Sequence, residues 1–248
     1  MRSLVIIPAY NEAGNIGAVV DSLAELNQEL EILVVNDGSA DDTGNQARRN
    51  GQATVLDLAC NLGIGGAVQT GFIYALRKQF ESAIKFDGDG QHLATEIESL
   101  LRPLRENRAD VVIGSRFHAA GGYKSTFSRR LGIRLLARIN SLLLGRPMLD
   151  STSGFRAYNR KAIEFLAQHY PAIDYPEPEE VVLLARNGFR VMETAVTMAP
   201  RQTGTSSIGL GRSFHYMAKV LLAILISCLR PAGGGKQDSA ARRLRIER

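Results

Sequence analysis

Hydrophobic and polar positions follow two different periods along the first half of the chain. Leu4 to Ile7, Ile32 to Val35, Val55 with Leu56, Ala83 to Phe86 and Val111 to Ile113 are short apolar runs, the pattern of strands buried on both faces. Between them the apolar positions recur at helical spacing. Ile16, Val19, Val20, Leu23 and Leu26 predict a helix from Asn11 to about Leu26. Asp41, Asp42 and Thr43 supply helix-start residues, and Gly65 to Leu76 and Ala94 to Leu104 read as further helices.

Strand and helix thus alternate, which predicts an α/β fold: a mostly parallel central sheet with helices on both faces. Such sheets bind ligands beyond the carboxyl ends of their strands. Chemistry is therefore sought in the polar residues just after each strand: Pro8 to Glu12, Asn36 to Ser39, Asp87 to His92, and Gly114 to Arg116.

The second half is less regular. Thr126 to Leu144 reads as a basic amphipathic helix and Asp150 to Tyr158 as a polar connection. Arg160 to His169 and Glu179 to Asn187 read as helices, Arg190 to Thr197 as an alternating strand, and Phe214 to Leu229 as an apolar helix. Three regions follow: a catalytic domain over 1–212, an apolar membrane-interface or partner helix over 213–230, and a basic tail without fixed structure over 231–248.

Charge changes this picture only locally. The net charge is +5, but the tail from Arg230 onward holds six basic residues against Asp238 and Glu247, so the rest is nearly neutral. A second basic stretch runs through Arg116, Lys124, Arg129, Arg130, Arg134, Arg138 and Arg146 with no acid among them, a face suited to anionic headgroups. Tryptophan is absent and aromatic residues are few, which leaves little for a base-stacking nucleic-acid platform. Cys60 and Cys228 are the two cysteines and imply no disulfide framework. The N-terminal apolar run stops at Pro8, too short for a signal peptide, and no run reaches the ~20 apolar residues of a membrane span. A cytoplasmic chain at the inner face of the membrane is expected.

Four motifs follow four successive strands. Asp87-Gly88-Asp89-Gly90 puts two hard carboxylates beside glycines, a donor set for Mg²⁺ or Mn²⁺ that would neutralise a departing diphosphate. Tyr10 offers a flat face to a nucleobase, and Glu12 and Asp37 can accept from base or ribose donors. Asn61-Leu62-Gly63-Ile64-Gly65-Gly66 opens a helix whose backbone N–H groups can face a phosphate or ribose. Each motif alone is also an ordinary polar turn between strand and helix. Together they supply the base-facing, phosphate-facing and metal-binding parts that a nucleotide sugar needs.

This set resembles family 2 of the glycosyltransferases, which have the GT-A fold. The resemblance rests on Pro8 to Glu12, Asn36-Asp37-Gly38-Ser39, Asn61 to Gly66 and Asp87-Gly88-Asp89-Gly90-Gln91-His92. It continues through Gly114-Ser115-Arg116, Asp150 to Arg156 and Arg201 to Ser207. The later motifs are similar to the subgroup that makes polyprenyl-phosphate sugars, the dolichyl-phosphate mannose synthase type. The resemblance implies inverting sugar transfer from a UDP- or GDP-sugar to a polyprenyl phosphate. It implies Asp87, Asp89 and Gln91 around the metal, and Pro8, Tyr10, Glu12, Asp37, Gly66 and Asp87 on the donor nucleotide. It implies Arg116, Arg130, Arg201 and Ser206 at the acceptor phosphate, where guanidinium groups bind bidentately. Asp89, Asp150, Arg116 and Arg201 are the expected catalytic residues, with Asp150 either a general base or a support for the Arg116 region.

Expected partners are the donor, the lipid phosphate, an anionic membrane surface and a small membrane protein, with no nucleic acid. Three alternatives stay open: a glycan hydroxyl as acceptor, a nucleotide-sugar-binding scaffold without catalysis, and a nucleotidyltransferase. The last lacks the Gly-rich signature expected right after its first strand.

Overall fold

The computed structural model describes residues 1–26, 30–116, 136–142, 147–171, 176–199 and 222. Seven strands form one sheet: β1 (Ser3–Ala9), β2 (Leu30–Asn36), β3 (Thr54–Asp57), β4 (Ser82–Lys85), β5 (Val111–Ser115), β6 (Arg156–Asn159) and β7 (Val191–Ala195), in the order β3-β2-β1-β4-β6-β5-β7. The β1–β2, β1–β4, β2–β3 and β5–β7 pairs are parallel, while β6 runs antiparallel to both β4 and β5. The sheet is therefore mostly parallel, as the alternation of periods predicts.

Side-chain alternation along β1 divides the core. Val5 and Ile7 face one layer with α1 (Ile16–Ala24), α2 (Thr43–Arg48) and α4 (Ile97–Arg105). Leu4 and Ile6 face the other layer, with α3 (Gly63–Arg77), α5 (Arg160–His169) and α6 (Glu177–Arg186). A central strand coated on both sides is apolar at most positions, which is why β1 and β2 read as near-continuous runs.

Three expectations need correction. The first helix begins at Ile16, not Asn11. Asn11 has a left-handed φ of 55°, which a helix excludes, and its side chain serves another loop. Pro8 does not end its strand; β1 continues to Ala9, paired with β2 up to Asn36. The backbone of Pro8 faces the β4 side, as that of Ile6 does, and the β4 pairing stops at Ile6 with Lys85, so the missing N–H removes no ladder bond.

The third correction is β6, which lies inside the stretch expected to be a connection. Arg156 is fully buried in an interior strand. Its Nε donates to Ser153 O (2.8 Å), and Nη2 donates to Ser151 O (2.8 Å) and Glu177 O (3.0 Å). Nη1 lies 3.0 Å from Glu180 Oε1. Burial alone would disfavour the Arg156 charge, but Glu180, with Tyr158 and Glu177, raises its pKa above the ordinary value. Lys85 of β4 is likewise fully buried and paired with Glu177. The acidic first turn of α6 is thus a buried counter-charge to the sheet.

Among the described residues no helix is long and apolar enough to cross a membrane. The expected helix over 213–230, Leu222 apart, and the tail over 231–248 lie outside the described residues.

Candidate active site

The carboxyl ends of β1, β2, β4 and β5 place four polar loops on one rim of the sheet. The first two loops are stitched together. Asn11 N–H donates to Ser39 Oγ (3.0 Å) and Asn11 Oδ1 accepts from Ala40 N–H (2.9 Å). Glu12 N–H donates to Thr43 Oγ1 (2.8 Å), and Ala13 N–H donates to Asp41 (3.2 Å). Glu12 Oε2 accepts from Asn15 Nδ2 (2.8 Å), so part of its accepting capacity is used within the loop. Tyr10 stands out from this clasp with half its surface exposed, open to a flat partner.

Asp37 is buried at the end of β2. Its Oδ1 accepts the Leu62 N–H at 2.7 Å, which pins the loop before α3 to this carboxylate. Gly38 follows at φ +68°, and a Cβ there would sit 2.8 Å from the backbone N of Asn61. Gly66 has a different cause than ligand approach: a Cβ would lie 2.6 Å from Leu62 Cβ, so the glycine serves packing within the loop and helix.

The Asp87 to His92 loop leaves β4. Gly90 turns it with φ +75°, and Asp89 Oδ1 accepts the Gln91 N–H (3.0 Å). His92 is buried. Its Nδ1 accepts the Asp87 N–H at 3.0 Å, so in the neutral ring the proton sits on Nε2, which faces Asp87 Oδ2 at 3.4 Å. Burial holds the His92 pKa below its usual value, against the opposing pull of Asp87 and Asp89. The ring stacks on Phe155 at 4.6 Å and 16° and meets the Phe86 ring edge-on. The motif itself assigns His92 no role; only its packing shows what it touches.

Arg116 ends β5. Its Nε donates to Asp150 Oδ2 and its Nη2 to Asp150 Oδ1, both at 2.7 Å, a two-toothed pair on a fully buried carboxylate. Nη2 also donates to Thr152 Oγ1 (2.7 Å), and the Arg116 N–H reaches Asp150 Oδ2 (3.2 Å). Glu193 of β7 accepts the Asp150 N–H (2.6 Å) and the Leu149 N–H (2.9 Å). Glu193 thus holds the backbone that carries Asp150.

The residues following β7 return to the Asp-x-Asp loop. His92 and Met198 form an antiparallel bridge, and Ala199 N–H donates to Gln91 O (2.9 Å). Arg201 and Ser206, which come next, and Arg130 lie outside the described residues. Asp87, Asp89, Gln91, Arg116 and Asp150 therefore share one rim, with the Pro8 to Glu12 and Asp37 loops beside them. Among the described residues no three carboxylate, imidazole or thiol side chains form a ready-made metal cage. Two hard carboxylates on a tight turn fit a divalent cation whose remaining ligands come from phosphate oxygens.

The arrangement has known counterparts. The family model described as Glycosyl transferase family 2 matches residues 4–166. Polyprenol monophosphomannose synthase of Mycolicibacterium smegmatis is 34% identical over 229 residues, 88% of this chain and 85% of that protein. Undecaprenyl-phosphate mannosyltransferase of Micrococcus luteus is 31% identical over 220 residues, 85% of this chain and 89% of that protein. Among solved structures, glucosyl-3-phosphoglycerate synthase from Mycobacterium tuberculosis, in complex with Mn²⁺, UDP and phosphoglyceric acid, superposes with a TM-score of 0.71 at 22% identity. That match covers 94% of this chain and 80% of the other, and it shows a shared fold, the GT-A-like arrangement expected above.

Proposed function

The chain belongs to glycosyl transferase family 2 and is a glycosyltransferase, and on that premise we propose that it transfers a sugar from a UDP- or GDP-sugar to a polyprenyl phosphate. Relatives named for polyprenol, undecaprenyl-phosphate and dolichyl-phosphate acceptors support the lipid phosphate. One observation carries the reading on the side of geometry. The segment from Asp150 to Gly154 grips Arg116 at one end and abuts the Asp87 carboxylate at the other. The guanidinium suited to the acceptor phosphate and the carboxylate suited to the donor diphosphate are thereby set side by side.

The acceptor phosphate oxygen attacks the anomeric carbon as the nucleoside diphosphate leaves, with inversion at that carbon. A phosphate monoester has a second pKa near ~6 and is largely dianionic at neutral pH, so its oxygen needs no strong base. The engagement of Asp150 with Arg116 supports this chemistry: Asp150 acts as the positioning residue that aims the guanidinium. Arg201 and Arg130 add charge for the acceptor phosphate, and Ser206 adds a hydroxyl. Tyr10 stacks on the base, Pro8 and Glu12 frame its loop, and Asp37 accepts from the nucleoside. Asp87, Asp89 and Gln91 would hold Mg²⁺ or Mn²⁺, and structural neighbours crystallised with Mn²⁺ or Mg²⁺ support that choice. When bound, the cation supplies Lewis-acid charge at the departing diphosphate. The apolar stretch over 213–230 and the basic stretch over 231–248 hold the enzyme at the inner face of the cytoplasmic membrane, alone or with a small membrane protein.

The test is transfer of label from UDP- and GDP-sugars to a short polyprenyl phosphate, followed by extraction into organic solvent. Label enters the organic phase with the right donor and Mg²⁺ or Mn²⁺, and Asp89→Ala abolishes this while the fold persists. Label that stays in water with every donor would reject the lipid acceptor. Near-normal turnover by Asp89→Ala would reject the metal assignment.

A further inference from the structure

The Asp87 carboxylate is seated in a notch left by a missing methyl group. A Cβ built on Gly154 would lie 2.8 Å from Asp87 Oδ2, closer than real Cβ atoms come, and a tight 3.1 Å from Oδ1. The backbone does not demand glycine here. The positive-φ glycines of the described residues are Gly38, Gly51, Gly63, Gly90 and Gly188, so residue 154 has a conformation open to alanine. What demands glycine is the carboxylate, 67 positions earlier in the chain.

The backbone side of this contact cannot easily give way, whereas the Asp87 side chain, a third exposed, can turn. His92 Nε2 stands 3.4 Å from Asp87 Oδ2, and its buried ring is stacked on Phe155, the residue after Gly154. Ser153, the residue before, is held by its carbonyl to Nε of the fully buried Arg156. The Gly154 backbone is therefore fastened on both flanks, and Asp87 is confined between it and the imidazole. An added methyl must turn the carboxylate.

We propose that Gly154 is a positioning residue for Asp87, whose absent side chain sets the direction in which the carboxylate addresses a cation bound with a nucleoside diphosphate. This rests on the donor-side role given to Asp87 above. Alanine at position 154 turns the carboxylate out of line and weakens cation-dependent nucleotide binding, while Arg116 and Asp150 keep their pairing.

A double-mutant cycle tests this with Gly154→Ala, Asp87→Ala and the combined variant. Two quantities are read on the full chain: the thermal midpoint without ligand, and Mn²⁺-dependent binding of UDP and of GDP by calorimetry. Gly154→Ala alone lowers the midpoint by roughly 2–12 °C and weakens Mn²⁺-dependent binding by about 10-fold or more. With Asp87→Ala the obstructed carboxylate is gone, and Gly154→Ala then changes neither quantity further. Equal losses of midpoint in both backgrounds would overturn the proposal, because the methyl would be striking something else. So would unchanged Mn²⁺-dependent binding in Gly154→Ala. If Gly154→Ala alone does not fold, recovery of folding in the combined variant supports the notch and failure there overturns it. If Asp87→Ala itself leaves Mn²⁺-dependent binding intact, the donor-side role of Asp87 fails, while the midpoints still decide whether Gly154 accommodates that carboxylate.

Discussion

Asp150→Asn separates a carboxylate that aims a guanidinium from one that takes a proton. The substitution keeps the volume of a fully buried side chain but replaces one accepting oxygen with an N–H₂ group. Two hydrogen bonds of 2.7 Å from Arg116 reach separate oxygens, and a third from its backbone N–H arrives at 3.2 Å. Thr152 Oγ1 adds a bond to Oδ1 at 3.0 Å. Whichever oxygen becomes nitrogen, a donor then faces a donor, and the Arg116 side chain, about a tenth exposed, loses its counter-charge. Breaking one side of a buried pair costs about 3–5 kcal/mol. The retained shape and remaining carbonyl place this variant near the lower end. For a chain of this size that corresponds to a thermal midpoint lower by roughly 6–12 °C. The kinetic expectation is a rise in acceptor KM, since Arg116 is no longer aimed, with donor KM nearly unchanged. General-base loss looks different: kcat falls by about 10²–10⁴ with substrate binding and stability little altered. Differential scanning fluorimetry and steady-state kinetics with both substrates varied distinguish the two. An unchanged midpoint with a collapsed kcat and an unmoved acceptor KM would refute the positioning role.

Further outcomes follow from other parts of the chain. Arg201→Ala is expected to raise acceptor KM by about 10- to 100-fold, the worth of one charge-assisted bond, with a smaller effect on donor KM. A larger effect on the donor would move Arg201 to the other substrate. Asp110 lies outside the site: burial would raise its carboxyl, but hydrogen bonds from the Arg190 side chain and backbone and from Asn159 outweigh that and hold it below 3.8. Its stabilisation is therefore present above the unfolded-state value and lost as pH falls through the lower folded-state value. Denaturant titrations should show Asp110→Asn less stable than the parent chain at neutral pH, with the gap narrowing as pH falls below the ordinary carboxylate range. A gap of constant size would mean that the carboxylate charge contributes nothing.

The residues differ in how far each could be read without a structure. Strands such as Leu4 to Ile7 and helices such as that around Gly65 to Leu76 announce themselves because their signals are local, within a few residues of period two or 3.6. The loops at the strand ends were equally legible, since turn residues and hard oxygen donors stand together in the sequence. The polar Arg156 to Asn159 strand was not legible, because nothing local says that a buried arginine will find Glu180 and three backbone carbonyls. Nor is it legible that the helix starts at Ile16 and not at Asn11, because the partners of Asn11 lie in the next loop, on Ser39 and Ala40.

Read alone, the chain thus specifies the alternation of strands and helices apart from β6, the rim on which chemistry gathers, and the types of donor placed there. Only the tertiary structure decided which of those groups are engaged with one another. Asp150 meets Arg116 across 34 positions and Lys85 meets Glu177 across 92. Such pairings depend on the antiparallel insertion of β6 between β4 and β5 and on its register. A shift of one residue would turn Arg156 and Tyr158 to the opposite face of the sheet, and no local pattern in these four residues encodes that choice.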